Sequence, residues 1–219
     1  MKIATWNVER LKHHHKLDEI LKACEQVRAD ILVLTETDMR ICPNYPYCFH
    51  TPLLVKIRPG YYKPTENRVS IFTKYECIGR YAAYDHYTAL CIELKTECGN
   101  LLVYGTIIGI FGNRHPSFMQ DLKCQLTDFQ RLTDGKKSLC ICGDFNCSFS
   151  DNYYFTKSGR DAILQSFSEN RISLLTAAQS ECIDHIAVSE RAINAEKIQI
   201  EEWNCDKRLS DHKGIAVSF

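Results

Sequence analysis

What most limits the fold is a set of short apolar runs that each close on a polar side chain: Ile3-Ala4-Thr5-Trp6-Asn7, Ile31-Leu32-Val33-Leu34-Thr35-Glu36 and Leu139-Cys140-Ile141-Cys142-Gly143-Asp144. Each has the length of a strand rather than a helix. Consecutive strand residues point to opposite faces, so a run that is apolar at nearly every position must be covered on both sides. That requirement points to an α/β architecture with strands sandwiched between layers.

The rest of the chain supplies the layers. Leu17, Ile20, Leu21, Cys24 and Val27 recur at helical spacing, so residues 15–28 are expected to form an amphipathic helix on the sheet. Phe118, Leu122, Leu126 and Phe129 mark a second helix, and residues 157–170 a third. Residues 88–94 and 101–108 predict paired strands joined through Cys98-Gly99-Asn100, and further strands are expected over 171–175, 182–188 and 214–219. Between 40 and 87, Pro43, Pro46, Pro52, Pro59 and Pro64 break helices, so that segment is expected to be irregular except for a strand over 68–73. Without repeats, low-complexity tracts or linker-like runs, the 219 residues are expected to form a single domain over 1–219.

With 45% hydrophobic and 25% charged residues the composition is globular, and no apolar run approaches the ~20 residues of a membrane span. The opening Met1-Lys2-Ile3-Ala4 has no long apolar leader, so a soluble, cytoplasmic protein is expected. Among its twelve cysteines, Cys24, Cys91, Cys140 and Cys142 lie in apolar runs, where a free thiol behaves as a small hydrophobe, so a reduced setting fits. Cys140-x-Cys142 lacks the two-residue gap of a zinc knuckle. His13-His14-His15 reads as a solvated loop, since adjacent residues do not converge on one metal from regular structure. A formal net charge of zero gives no global positive field. Locally, residues 41–80 hold six basic side chains against two acidic ones, and residues 181–206 reverse the balance. Tyr61, Tyr62 and Lys63 with Lys56 and Arg58 could stack bases and hold phosphates, although tyrosines also fill ordinary cores. No obligate protein partner is evident, and a monomer is expected.

The strand ends carry the candidate chemistry. A strand that stops at Gly143 would deliver Asp144 and Asn146, two apart and pointing the same way, pairing a possible base with a donor to an oxyanion. The alternative is an Asx-turn that closes a loop. Asn7 and Glu9 likewise share a direction, as a cap for the next segment or as part of a site. Glu36 is a site carboxylate or a solvated terminus. Asp184, flanked by apolar residues, needs a cation, a histidine or a backbone donor if it is buried. Arg114 near a helix start is a phosphate contact or a surface charge.

Taken in order, Thr5-Trp6-Asn7-Val8-Glu9, Leu34-Thr35-Glu36, Gly143-Asp144-Phe145-Asn146, Ile183-Asp184-His185-Ile186 and Ser210-Asp211-His212 resemble the endonuclease/exonuclease/phosphatase superfamily. The resemblance implies a DNase I-like four-layer α/β sandwich, with two mixed β-sheets packed face to face, helices outside and the site at one end. It implies a metal-dependent phosphodiesterase, most directly a nuclease with DNA or RNA as partner. The alternatives are an enzyme for a small phosphorylated molecule, or a silent binding module. By the same resemblance, Glu36 is the principal ligand of Mg²⁺ or Mn²⁺, with Asn7 and Asp211 close to the metal or its waters. His212 matches the essential histidine and Asp184 the carboxylate that orients it. Asp144 and Asn146 match the pair that handles the nucleophilic water and the charge on phosphate. Apart from the resemblance, Arg68 and Arg114 are expected as substrate contacts. One departure stands out: Tyr104-Gly105-Thr106-Ile107-Ile108-Gly109 carries neither the Tyr-x-Pro-Asn nor the Thr-His pattern of superfamily branches. Arg114 or His115 is expected to supply the missing group.

Overall fold

The computed structural model describes residues 1–135, 137–192 and 198–219. Two mixed sheets of six strands form its centre. The first sheet has the order β11 (Gln199–Trp203), β12 (Gly214–Ser218), β1 (Lys2–Asn7), β2 (Ile31–Asp38), β4 (Glu66–Thr73), β3 (Tyr47–His50). In the second the order is β5 (Cys77–Tyr81), β6 (Ala89–Thr96), β7 (Gly99–Ile107), β8 (Ser138–Asp144), β10 (Asp184–Ser189), β9 (Ile172–Leu174). Parallel pairing occurs between β1 and β2 and between β7 and β8. Such pairs need a crossover, and helices α1 (Leu17–Gln26) and α2 (Phe118–Asp134) provide it.

Alternation along the strands separates three cores. Ile3, Ile31, Val33, Val69 and Ile71 of the first sheet meet Val103, Cys140, Cys142, Ile186 and Val188 of the second. The opposite positions, Ala4, Trp6, Leu32 and Leu34, pack against Ile20 and Cys24 of α1. On the second sheet, Leu102, Tyr104 and Ile141 pack against Phe118, Leu122 and Phe129 of α2 and Ile163 and Phe167 of α3 (Lys157–Glu169). The layers therefore run helix, sheet, sheet, helices, which gives the strand runs their cover on both faces and is the four-layer sandwich the resemblance implied. Thr156 begins α3 by accepting from the Gly159 N–H at 3.3 Å, the N-cap geometry.

Several local expectations need correction. The first helix starts at Leu17, after a 3₁₀ turn over His14–Lys16. The hairpin loop between β6 and β7 shrinks to Glu97-Cys98, because Thr96 pairs with Gly99 and Lys95 with Asn100. Gly99, at φ 107°, takes the backbone conformation that a tight loop needs. The proline-rich segment is less irregular than expected: it holds β3 and β5 as edge strands, and β4 begins at Glu66. Edge strands carry little burial pattern for sequence reasoning to detect. β8 does not stop at Gly143 but runs through it to Asp144. Gly143 is required there because a Cβ would lie 1.9 Å from the Thr106 carbonyl oxygen on β7. All twelve cysteines are free thiols. Among the described residues no helix is long and apolar enough to cross a membrane.

Candidate active site

The carboxyl ends of β1, β2 and β8 meet the start of β10 and the approach to β12 at one end of the sandwich, and the polar strand ends gather there. β8 and β10 run antiparallel with Asp144 directly opposite Asp184, so register alone brings two buried carboxylates together. β1 adds a third group: Asn7 Nδ2 donates to Asp144 Oδ2 at 3.0 Å. Asp184, 1% exposed, accepts from His212 Nδ1 at 2.5 Å, while its Oδ1 is buried without a hydrogen-bond partner. A buried carboxylate without full compensation is costly, so the His212 ring is the main group that offsets its charge.

The loop that delivers His212 is anchored at several points. Trp6 Nε1 and Asn204 Nδ2 both donate to the His212 carbonyl, at 3.0 and 2.7 Å. Ser210 Oγ donates to the Asn7 carbonyl at 2.6 Å and accepts from the His212 N–H at 3.2 Å. Glu9 Oε2 accepts from the Asp211 N–H at 2.9 Å. Glu9, Arg10 and Leu11 all adopt positive φ, a run that side chains resist and that tertiary contacts must hold. Asn7 and Glu9 therefore do not share an extended direction. Asn7 Oδ1 instead accepts from the Glu9 N–H at 3.0 Å, an Asx-turn rather than a helix cap, while its amide reaches Asp144.

Asp144 and Asn146 also do not share a face, because Asn146 turns to φ 48°. Its N–H donates to Asp144 Oδ1 at 2.8 Å, which is the Asx-turn, here built into the site. Asn146 Nδ2 is occupied by the carbonyls of Ile108 and Gly109, at 3.0 and 3.2 Å. Glu36, at φ 43°, leaves the strand direction and reaches a depression of about 590 Å³ that Arg10, Tyr61 and Lys63 also line. Arg10 Nε is 3.7 Å from Glu36. With Thr35 paired to Val69 and Thr37 to Asn67, Arg68 lies across from Glu36, 9% exposed and with its buried Nε unpartnered. Arg114 stays exposed and lines neither this depression nor the cleft beside His212.

The structure does not bring the residues expected to replace the missing motif group into either the depression or the cleft. Thr106 turns to α2, donating to Gln125 Oε1 at 2.7 Å, and His115 is exposed beside Ser117. The residue sequence reasoning passed over is Asn113. It is buried, donates to the Asn146 carbonyl at 2.7 Å, and leaves its Oδ1 unpartnered. Its only sequence signal was an amide in the glycine-containing loop 109–116.

Electrostatics follow from this crowding. Burial raises the Asp144 carboxyl to about 7, with Asp184 and Glu36 adding repulsion against the lowering effect of His212. Burial also pushes the Glu36 carboxyl up, with Arg10, His212 and Arg68 opposing it. For His212 burial disfavours the charged ring, but the Asp184 carboxylate overcomes this and raises it to about 10. Mutually repelling carboxylates with an unpartnered oxygen among them fit a hard divalent cation. Among the described residues no three His, Cys, Asp or Glu side chains form a ready cage.

The Endonuclease/Exonuclease/phosphatase family profile matches residues 4–212. The chain belongs to this family. Its members hydrolyse phosphoester bonds, and solved structures share the fold at low identity. NExo, a 3′ phosphatase from Neisseria bound to a product DNA hairpin, is 16% identical with a TM-score of 0.69, covering 100% of this chain and 99% of that one. The endonuclease domain of TRAS1, a telomere-specific non-LTR retrotransposon, is 13% identical with a TM-score of 0.70, covering 99% and 96%. A Staphylococcus aureus β toxin mutant with bound magnesium ions is 14% identical with a TM-score of 0.64, covering 99% and 98%. No curated protein matches the chain in sequence.

Proposed function

We propose that this chain is a divalent-metal-dependent phosphodiesterase that cleaves nucleic acid. The observation that carries the reading is the meeting, at one end of the sandwich, of the Asp184–His212 pair, the Asp144–Asn7 pair and Glu36. Glu36 and Asn7, with Asp211 through water, would hold Mg²⁺ or Mn²⁺, which when bound polarises the phosphoryl group as a Lewis acid. Asp184 takes the Nδ1–H of His212 and fixes the ring, leaving Nε2–H to donate to a phosphoryl oxygen as charge develops. Asp144 has one donor on each oxygen, from the Asn146 N–H and from Asn7 Nδ2, so each keeps a lone pair. Held this way, it accepts the proton of the attacking water. Asn146, with its amide committed to backbone carbonyls, is a positioning residue. Arg68, across from Glu36, would contact the phosphate, and Asn113 holds the Asn146 backbone as a positioning residue.

Nucleic acid is favoured by the Tyr61 ring and Arg10 beside Glu36, in a depression where Lys63 is offset by Glu66 at 3.8 Å, and by the DNA hairpin held by NExo, which shares the fold. A small phosphorylated substrate is the second reading, favoured by the zero net charge and by a sphingomyelinase C of the same fold. The test is a Mg²⁺, Mn²⁺ and EDTA screen on single- and double-stranded DNA, RNA and small phosphoesters. Glu36→Gln, Asp144→Asn and His212→Ala should each lower kcat by about 10²-fold or more. Folded variants with near-parental turnover refute the assignment, and turnover confined to small phosphoesters selects the second reading.

A further inference from the structure

His212, Asp184 and Asn146 form only the inner wall of a cleft of about 460 Å³; the outer wall has Tyr153, Tyr154 and Lys207. This volume lies in the range of roughly 300–1,000 Å³ typical of small-ligand sites. The outer wall is built rather than loose. Ser148 closes the loop by donating from its N–H to the Tyr154 carbonyl at 2.7 Å and accepting the Tyr154 N–H on its Oγ at 3.1 Å. Asp151 accepts from the Tyr153 N–H at 3.0 Å and the Glu181 N–H at 2.7 Å. Tyr154 is wedged against Gly112, where a Cβ would come within 2.5 Å of its hydroxyl, so this loop and loop 109–116 are fitted together.

Tyr153 is 46% exposed, yet its hydroxyl accepts from Lys207 Nζ at 2.9 Å, and the same ammonium lies over one face of the ring, 4.6 Å from its centroid, which leaves stacking to the opposite face. Lys207 is held in turn through its N–H on the Asn204 carbonyl at 2.9 Å, and the Asn204 amide also holds the His212 carbonyl. One asparagine thus links the exposed ring to the loop of the essential histidine. A surface Tyr–Lys pair alone would be ordinary; this one faces a buried Asp–His pair across a cleft.

The charges indicate what the cleft takes. Lys207 is offset by Glu181 at 3.8 Å, and Lys213 by Glu202 at 2.9 Å and the Ser180 carbonyl at 2.6 Å. Committed cations make a poor seat for a second phosphate. A fixed aromatic ring beside the scissile position suits a flat, uncharged group. We propose that this cleft is a nucleobase subsite, in which the base next to the scissile phosphate stacks on Tyr153 while Lys207 fixes the ring. The proposal rests on the nuclease reading.

The test compares kcat/KM for methyl p-nitrophenyl phosphate with that for the 3′- and 5′-(p-nitrophenyl phosphate) esters of thymidine, which share its leaving group. The parent should prefer one nucleoside ester. Tyr153→Ala should cut that preference by at least about fivefold, the low end of losses for base–aromatic stacking. Tyr153→Phe, which keeps the ring and its contact with the Lys207 ammonium but loses the hydroxyl bond, should retain most of it. If the parent cleaves oligonucleotides and prefers a nucleoside ester but Tyr153→Ala keeps the preference, the subsite is wrong and the nuclease reading stands. A Tyr153→Phe loss as large as that of alanine overturns stacking in favour of the hydroxyl contact. A parent that hydrolyses the methyl ester without preference and leaves oligonucleotides intact overturns both readings.

Discussion

His185 should make the protein acid-sensitive in a window that its environment defines. The ring is fully buried beside Phe145 and Phe149, with both nitrogens in use. Nε2 lies 2.9 Å from the Cys147 carbonyl, which can only accept, so Nε2 carries the proton. Nδ1 therefore accepts from Thr176 Oγ1 at 2.9 Å, and that hydroxyl accepts the Ile186 N–H at 3.1 Å. A second ring proton would face the hydroxyl's own hydrogen. Burial pushes the imidazole down to about 4 from its ordinary 6.5, against smaller raising effects from the Cys147 carbonyl and Asp184. Between those two values the unfolded chain binds the proton and the folded chain does not, so stability is complete above about pH 7 and falls as pH drops from 6.5 toward 4. At ~1.4 kcal/mol per pKa unit the full loss is roughly 3 kcal/mol, of which about 2 kcal/mol falls between pH 7 and pH 5. The assay is urea unfolding of the parent and of His185→Gln at both pH values, because the double difference cancels carboxylates that titrate in the same range. At an m-value of about 2 kcal/mol/M, the parent's advantage should shrink by a midpoint shift near 1 M. An advantage that is the same at both pH values refutes the buried neutral tautomer. The site is affected as well, since this histidine ties Cys147, next to Asn146, to β10.

Asp184→Asn should reduce kcat by about 10²- to 10⁴-fold through loss of imidazole orientation, and steady-state kinetics with a pH profile would expose an unchanged rate if the pair were idle. Gly143→Ala should destabilise by about 4 kcal/mol or more, since the new methyl would meet the Thr106 carbonyl, and chemical unfolding would show a smaller loss if β7 can move away. Arg58 packs over Tyr61 at 4.4 Å and Lys63 lines the depression beside Glu36. Replacing both by alanine should flatten the dependence of polynucleotide binding on log salt by about 0.7 to 0.9 for each phosphate no longer neutralised, so an unchanged slope removes this face from the substrate path.

The apolar runs and their polar ends determined much by themselves. A strand such as Ile31–Leu34, apolar on both faces, cannot be stable without cover on each side, so the layered fold and the placing of Asn7, Glu36 and Asp144 at strand ends were legible from local pattern, whereas their gathering at one end of the sandwich was implied only by the family resemblance. What lies across from what was not. Asn7 meets Asp144 over a separation of 137 residues, and Asp184 faces Asp144 through the register of β8 and β10, which depends on how whole strands pair. Backbone turns that aim the side chains were hidden too. Glu9, Glu36 and Lys207 take positive φ although their residue types resist it, because contacts from distant segments hold them there. The same applies to the cleft wall: Tyr153 and Lys207 have no local signature, and only packing of the loops around Gly112 and Asn204 sets them opposite His212. Periodicity records which side of a strand is buried, whereas chemistry at its end depends on which other ends arrive beside it.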